Sequence, residues 1–284
     1  MKRIGLLALA LLLPTAILWT LPVHAEDAAP KEAQDAVEAA RGAYAEYKST
    51  QEAANKTRNE ALKAYREAKE GEAKDAAYAK YMEVADAENA KVKTATDKFV
   101  EAMVKAGVDS FDIEKDASLL EVGLLSWANQ KSEEEPKGAA EVYELFLKKL
   151  PKSSMAPFVR TNFLPNALMS TGDFEAAAAR IATLIKESDE KFGPSLNMML
   201  GDIKAVQGDI EGAQKIYAEV LKSIPEKLER NDPRGSVKRY IAPKIELIGK
   251  QAPEIDSKMW LGGEARPLSK LKGTVVLIDV WATW

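Results

Sequence analysis

The chain has no cysteine, and its one histidine, His24, lies within the first 25 residues. Beyond that point there is neither imidazole nor thiol, so Ser-His-Asp and Cys-His nucleophilic catalysis and every Cys/His zinc site are excluded. No metal site and no cofactor is expected. An excess of positive charge is also missing. Lys plus Arg number 40 against 44 Asp plus Glu, a net of −4, so no global basic surface invites nucleic acid. What is present is a composition 46% hydrophobic and 30% charged over 284 residues. That is too apolar for general disorder and long enough for two or three structural units.

Residues 1–25 read as an export signal. Met1-Lys2-Arg3 is a short positive region, Ile4 to Leu21 is largely apolar, and Val23-His24-Ala25 places small residues where a signal peptidase cuts. Removal of this segment would leave 38 basic and 44 acidic residues, because it carries Lys2 and Arg3 and no acid. The chain is therefore expected to be exported, to a periplasmic or other extracytoplasmic compartment, touching a membrane only if the segment stays uncleaved.

Residues 26–108 are predicted to form an alanine-rich helical hairpin. From Lys31 to Ala106 there is no proline, and only Gly42 and Gly71 weaken the helix. Large apolar residues are mirrored about Gly71: Tyr65 with Tyr78, Leu62 with Tyr81, Tyr44 with Phe99. Two antiparallel helices folding at Lys69-Glu70-Gly71-Glu72 would bring these pairs together, with alanine in the narrow layers. The heptad is irregular, which favours a loosely packed pair over a strict coiled coil. Such a hairpin serves as a spacer, an oligomerisation arm or a solvated packing element.

Residues 109–247 contain a repeat. Lys137-Gly138-Ala139 with Tyr143 and Pro151, Glu175-Ala176-Ala177 with Ile181, and Glu211-Gly212-Ala213 with Tyr217 and Pro225 recur at steps of 38 and 36 residues. That period belongs to stacked helix pairs. The third copy resembles a tetratricopeptide repeat through Leu200-Gly201, Ala213, Tyr217 and Pro225; the first has Trp127 at the glycine position and the second has Pro165 there. Gly172-Asp173 and Gly208-Asp209 mark turns within pairs. The resemblance implies a concave surface able to hold a peptide or protein partner, or a purely structural connection. Glu133-Glu134-Glu135 lacks the spacing of a calcium site and reads as a solvated loop. Lys238, Arg239, Lys244 and Lys250, around Pro243, read as solvated cations in a linker.

Residues 248–284 carry the most specific signal. Ile248-Gly249-Lys250-Gln251-Ala252-Pro253, then Leu268-Ser269-Lys270-Leu271-Lys272-Gly273, then Val275 to Trp284 with Asp279, Trp281, Ala282 and Trp284, follow one another in order. This series resembles the opening of a thioredoxin-fold domain of the TlpA-like, AhpC/TSA redoxin kind, which comprises exported thiol-disulfide oxidoreductases. The resemblance implies protein thiols and disulfides as substrates, with a C-x-x-C motif directly after the position of Trp284. The nucleophilic cysteine is thus absent from the chain, which should be inactive by itself. The resemblance also makes Asp279 the acid that assists proton transfer, and Trp281 and Trp284 the aromatics flanking the motif. Independently, Thr274 to Val280 is a nearly continuous apolar run of the kind found in parallel strands covered on both faces. Gly262-Gly263 suggests a hairpin over 258–267. The sequence is expected to stop before its sheet is complete.

The expected fold is therefore mainly α: a helical hairpin, then tetratricopeptide-like α-α repeats, then the first part of an α/β thioredoxin-like domain. An exported binding or scaffold protein with a thioredoxin-like remnant is the alternative function.

Overall fold

The computed structural model of the chain describes residues 31–255 and 266–279. The signal segment, most of the expected hairpin over 258–267, and both Trp281 and Trp284 lie outside the described residues.

Helix dominates. Helix α1 (Lys31–Glu67) and helix α2 (Glu72–Ala106) have 37 and 35 residues, each about 55 Å long at the α-helical rise. Alanine, glutamate and lysine supply the propensity. Gly71, at φ 97°, supplies the left-handed turn between them. Two of the three mirrored pairs meet ring to ring. The ring centroids of Tyr44 and Phe99 are 5.1 Å apart, and those of Tyr65 and Tyr78 5.4 Å.

The expected looseness needs correcting. On α1, Val37, Ala40, Tyr44, Tyr47, Gln51, Ala54 and Arg58 alternate steps of three and four, and every one of them is buried or half-buried. The spacing is therefore that of a coiled-coil seam, and only the chemistry is irregular. Gln51, Arg58 and the buried carboxylate of Glu88 fill its middle with polar groups, Glu88 held by Lys91 at 2.7 Å and Arg58 bonded to Asn89.

Three helix pairs follow. Helix α3 (Ile113–Lys131) pairs with α4 (Pro136–Lys149). Helix α5 (Ala156–Phe158) runs through a π-helical turn, Val159–Phe163, into α6 (Leu164–Ser170), which pairs with α7 (Phe174–Glu187). Helix α8 (Gly193–Val206) pairs with α9 (Ile210–Ser223), and α10 (Arg234–Leu247) closes the stack. The second helices of the pairs begin at Pro136, Phe174 and Ile210, which reproduces the steps read from the sequence. The π turn sits where Pro165 has no amide hydrogen to give. The ladder widens just ahead of it, and the Leu164 amide bonds back to Val159.

The glycine–aspartate turns behave as expected. Gly172 and Gly208 have φ of 75° and 84°, while the Asp173 and Asp209 side chains cap the next helices by accepting from the amides of Ala176 and Gly212. Close packing depends on two other glycines. A Cβ at Gly201 would lie 2.5 Å from the Tyr217 ring, and one at Gly123 would lie 2.2 Å from Met103 Sδ.

One apolar core joins the base of the hairpin to the first repeats, from Val37 and Phe99 through Leu120, Phe146 and Ile181 to Ile203. A smaller one comprises Ala213, Tyr217, Val220, Ile224, Val237 and Ile241. An ion pair adds direction to the docking of the hairpin. The Arg41 guanidinium donates to both Asp116 oxygens at 2.9 and 2.8 Å, and Asp116 is only 6% exposed.

The cations near Pro243 also need correcting. They lie on or beside a helix, since α10 keeps its course through Pro243 by burying Val237 and Ile241. Lys244 is not solvated: it pairs with Asp202 at 2.7 Å. Lys238, Arg239 and Lys250 are exposed. No strand forms among the described residues, so the expected strand from Thr274 is not seen over its described part. Val275 and Leu277 are 102% and 92% exposed, because nothing described lies beside them to complete a backbone ladder.

Candidate functional site

Two regions carry the functional expectations, and the structure treats them differently. In the C-terminal region Asp279 is exposed at the end of the unpaired run 275–279. The other expected site residues, Trp281 and Trp284, lie outside the described residues. What is organised is the part ahead of it. The Glu254 carboxylate accepts from the backbone amides of Leu268 and Ser269 at 2.6 and 2.9 Å. This caps the tight helical turn Leu268–Lys270 and ties the residue directly after the first motif stretch to the start of the second. The Ser269 side chain, then its backbone amide and that of Leu268, hold the Glu254 carboxyl below its ordinary value.

The second region is a cleft of about 460 Å3 between the first helices of successive pairs. The turn around Phe158 and Asn162 forms one wall. Helix α8 forms the floor with Met198, Met199 and Asp202, and α10 forms the other wall with Val237 and Tyr240. Tyr240 is 63% exposed, and two methionines give the floor an adaptable apolar surface. Asn162 and Asn166 stand one helical turn apart on the first wall.

Polar groups at the end of the cleft are tied together. Asp202 Oδ1 accepts from the Tyr217 hydroxyl at 2.7 Å and from Lys244 Nζ at 2.7 Å. Burial, and then the bond to Asp202, pushes the Tyr217 hydroxyl well above the usual phenol value. That proton stays on Tyr217 under physiological conditions, so the residue packs and donates. It is unsuited to serving as a base.

No group of three or more His, Cys, Asp or Glu gathers at metal-binding distance among the described residues. The acidic run ends in Glu135, which is paired with Lys131. No described helix is long and apolar enough to cross a membrane. Sequence reasoning missed Asp202 and the cleft residues Asn162 and Asn166, and read Lys244 as a solvated cation. The signal available was Tyr217 itself, a buried tyrosine that needs an acceptor one helix away. Compared with known proteins, the chain matches no family model, no curated protein and no solved structure.

Proposed function

We propose that the chain belongs to an exported thiol-disulfide oxidoreductase of the redoxin kind, in which the helical repeats hold a protein partner beside the redox segment. The observation that carries the reading is the ordered series of motifs over 248–284, supported by the Glu254 cap, which ties the residue directly after the first stretch to the start of the second. Asp279, Trp281 and Trp284 take the roles of proton-transfer helper and motif-flanking aromatics. The substrates are protein thiols and disulfides, and the compartment is the periplasm or its equivalent.

The chemistry needs a thiolate that residues 1–284 do not contain. A thiolate at a helix N-terminus attacks a disulfide sulfur and forms a mixed disulfide, and a second thiol then releases it. Reading the coding sequence for some thirty codons past Trp284 tests this. Cys-x-x-Cys in frame supports the oxidoreductase; an immediate stop or Ser-x-x-Ser removes it.

The cleft favours a second reading, a binding or scaffold protein. Its adaptable floor and exposed Tyr240 suit an extended polypeptide. A fluorescence titration with a reduced, carboxymethylated and unfolded model protein tests it. Saturable binding that weakens at least tenfold in Tyr240→Ala but not in Lys137→Ala supports the cleft. Equal affinities, or none, reject it.

A further inference from the structure

The end of α10 is held in an unusual way. A helix leaves its last carbonyls without amide partners, and water or the following turn usually satisfies them. Here Gln214, from the neighbouring helix α9, reaches across. Its Nε2 donates to the carbonyl of Ile248 at 2.8 Å and to that of Ile245 at 3.2 Å. The next residue, Gly249, has φ +78° and lies so close to α9 that a Cβ would stand 2.3 Å from Ile210 Cγ2. Ile245 and Ile248 pack against the smaller core. One turn earlier, Lys244 is fastened to Asp202 of α8.

Three fastenings from two helices thus fall within six residues, at the point where the stack hands over to the redoxin-like segment. A flexible linker would show none of them. Ile248 and Gly249 are also the first residues of the motif series, so the segment begins inside the packed stack.

We infer that Gln214, Ile210 and Gly249 form a clasp that makes the helical stack and the start of the redoxin-like segment one rigid body, with α10 as the shared beam. One side of α10, with Val237 and Tyr240, lines the cleft, and its end carries Ile248. A partner held in the cleft is therefore presented to whatever follows residue 249 in one fixed orientation, and Gln214 is a positioning residue. The orienting role rests on the proposed redoxin reading. The clasp itself does not, so the two can fail separately.

Residues 1–284 contain no cysteine, so in this chain two spin labels can be placed cleanly, at Lys222→Cys on α9 and Gln251→Cys just past the clasp. Pulsed electron resonance then measures the spread of distances between them, with helical circular dichroism recorded alongside. The expected result is a single narrow distance in the labelled parent. It should become at least about twice as broad in Gln214→Glu, which keeps the shape and loses the donor, and in Gly249→Ala, with helical content unchanged. Gln214→Lys, which returns a donor to the carbonyls, should keep the narrow distance. A broad distance in the parent overturns the clasp, as does a narrow one surviving in both disruptive variants. A broad distance in Gln214→Lys counts against the hydrogen bonds as its cause. None of these readouts depends on thiol chemistry in the full protein, so a failed redoxin reading would leave them untouched.

Discussion

The two halves of the hairpin share one seam and almost one composition, yet they are held in place very differently. At the base, Tyr44, Tyr47 and Phe99 stack within about 6 Å of one another and continue into the core of the repeats. At the tip, Tyr65, Tyr78 and Tyr81 form the same kind of cluster, but no residue from 55 to 87 is buried. The polar layer of Gln51, Arg58 and Glu88 lies between them. Equal aromatic content therefore does not give equal stability. What separates the halves is the third body, α3, which covers the base alone with Leu120, Leu124 and the buried Asp116. The tip relies on helix propensity and on short-range pairs such as Lys63 with Glu67 and Lys80 with Glu83, which contribute only a few tenths of a kcal/mol each.

That contrast can be broken most forcefully at Phe99. Phe99→Ala leaves a cavity in the covered cluster, and urea denaturation should show a loss of about 3–5 kcal/mol. Next comes the docking pair. Asp116→Ala leaves half-exposed Arg41 with only Glu38 as a partner, for which about 2 kcal/mol is expected. Hydrogen exchange should show the loosening over residues 31–54 and spare the stack beyond α4. Tyr81→Ala, in the tip, should cost roughly 1 kcal/mol or less because water already reaches the site. Amides from 55 to 87 should exchange faster than those of the base even in the parent chain, and a uniform rate along the hairpin would contradict the comparison.

The smallest effect concerns pH. The Asp112 carboxyl, which caps α3 at the base, lies below its ordinary value because of Lys115, through its side chain and then its backbone amide. A depressed carboxyl contributes stability that is complete above its unfolded value of about 4 and is lost as pH falls through the folded value. The base should therefore hold constant from pH 7 to about 5 and loosen below about 4. Asp112→Asn should flatten that acid limb. An unchanged limb in this variant would remove the assignment.

How much of this was written in the sequence depended on whether the interacting residues were near one another or related by symmetry. The mirrored tyrosines and the steps between helix pairs could be read, because a fold-back at Gly71 and a repeat each impose a fixed spacing. The Arg41–Asp116 pair spans 75 residues and the Gln214 clasp 34, and neither belongs to any periodicity. Nothing local marks them. Lys244 was misread for the same reason, since its partner Asp202 lies 42 residues away. At the C-terminal end the apolar run from Val275 was legible as strand material, but strand geometry needs a neighbour, and none adjoins it among the described residues. For a redox chemistry the sequence offered only a resemblance.

The division of the apolar interior into a large and a small cluster sets how the molecule would respond to tension. A load applied at residue 250 meets the small cluster first, five buried side chains on α9 and α10 together with Ile224 just beyond α9. Helix α8 contributes Leu196 and Ile203 to one cluster and Met198 and Ala205 to the other, so it marks where yielding would pause. Under a pull the last two helices should peel away as one step at low force, while the hairpin base and the earlier repeats remain folded as the anchor.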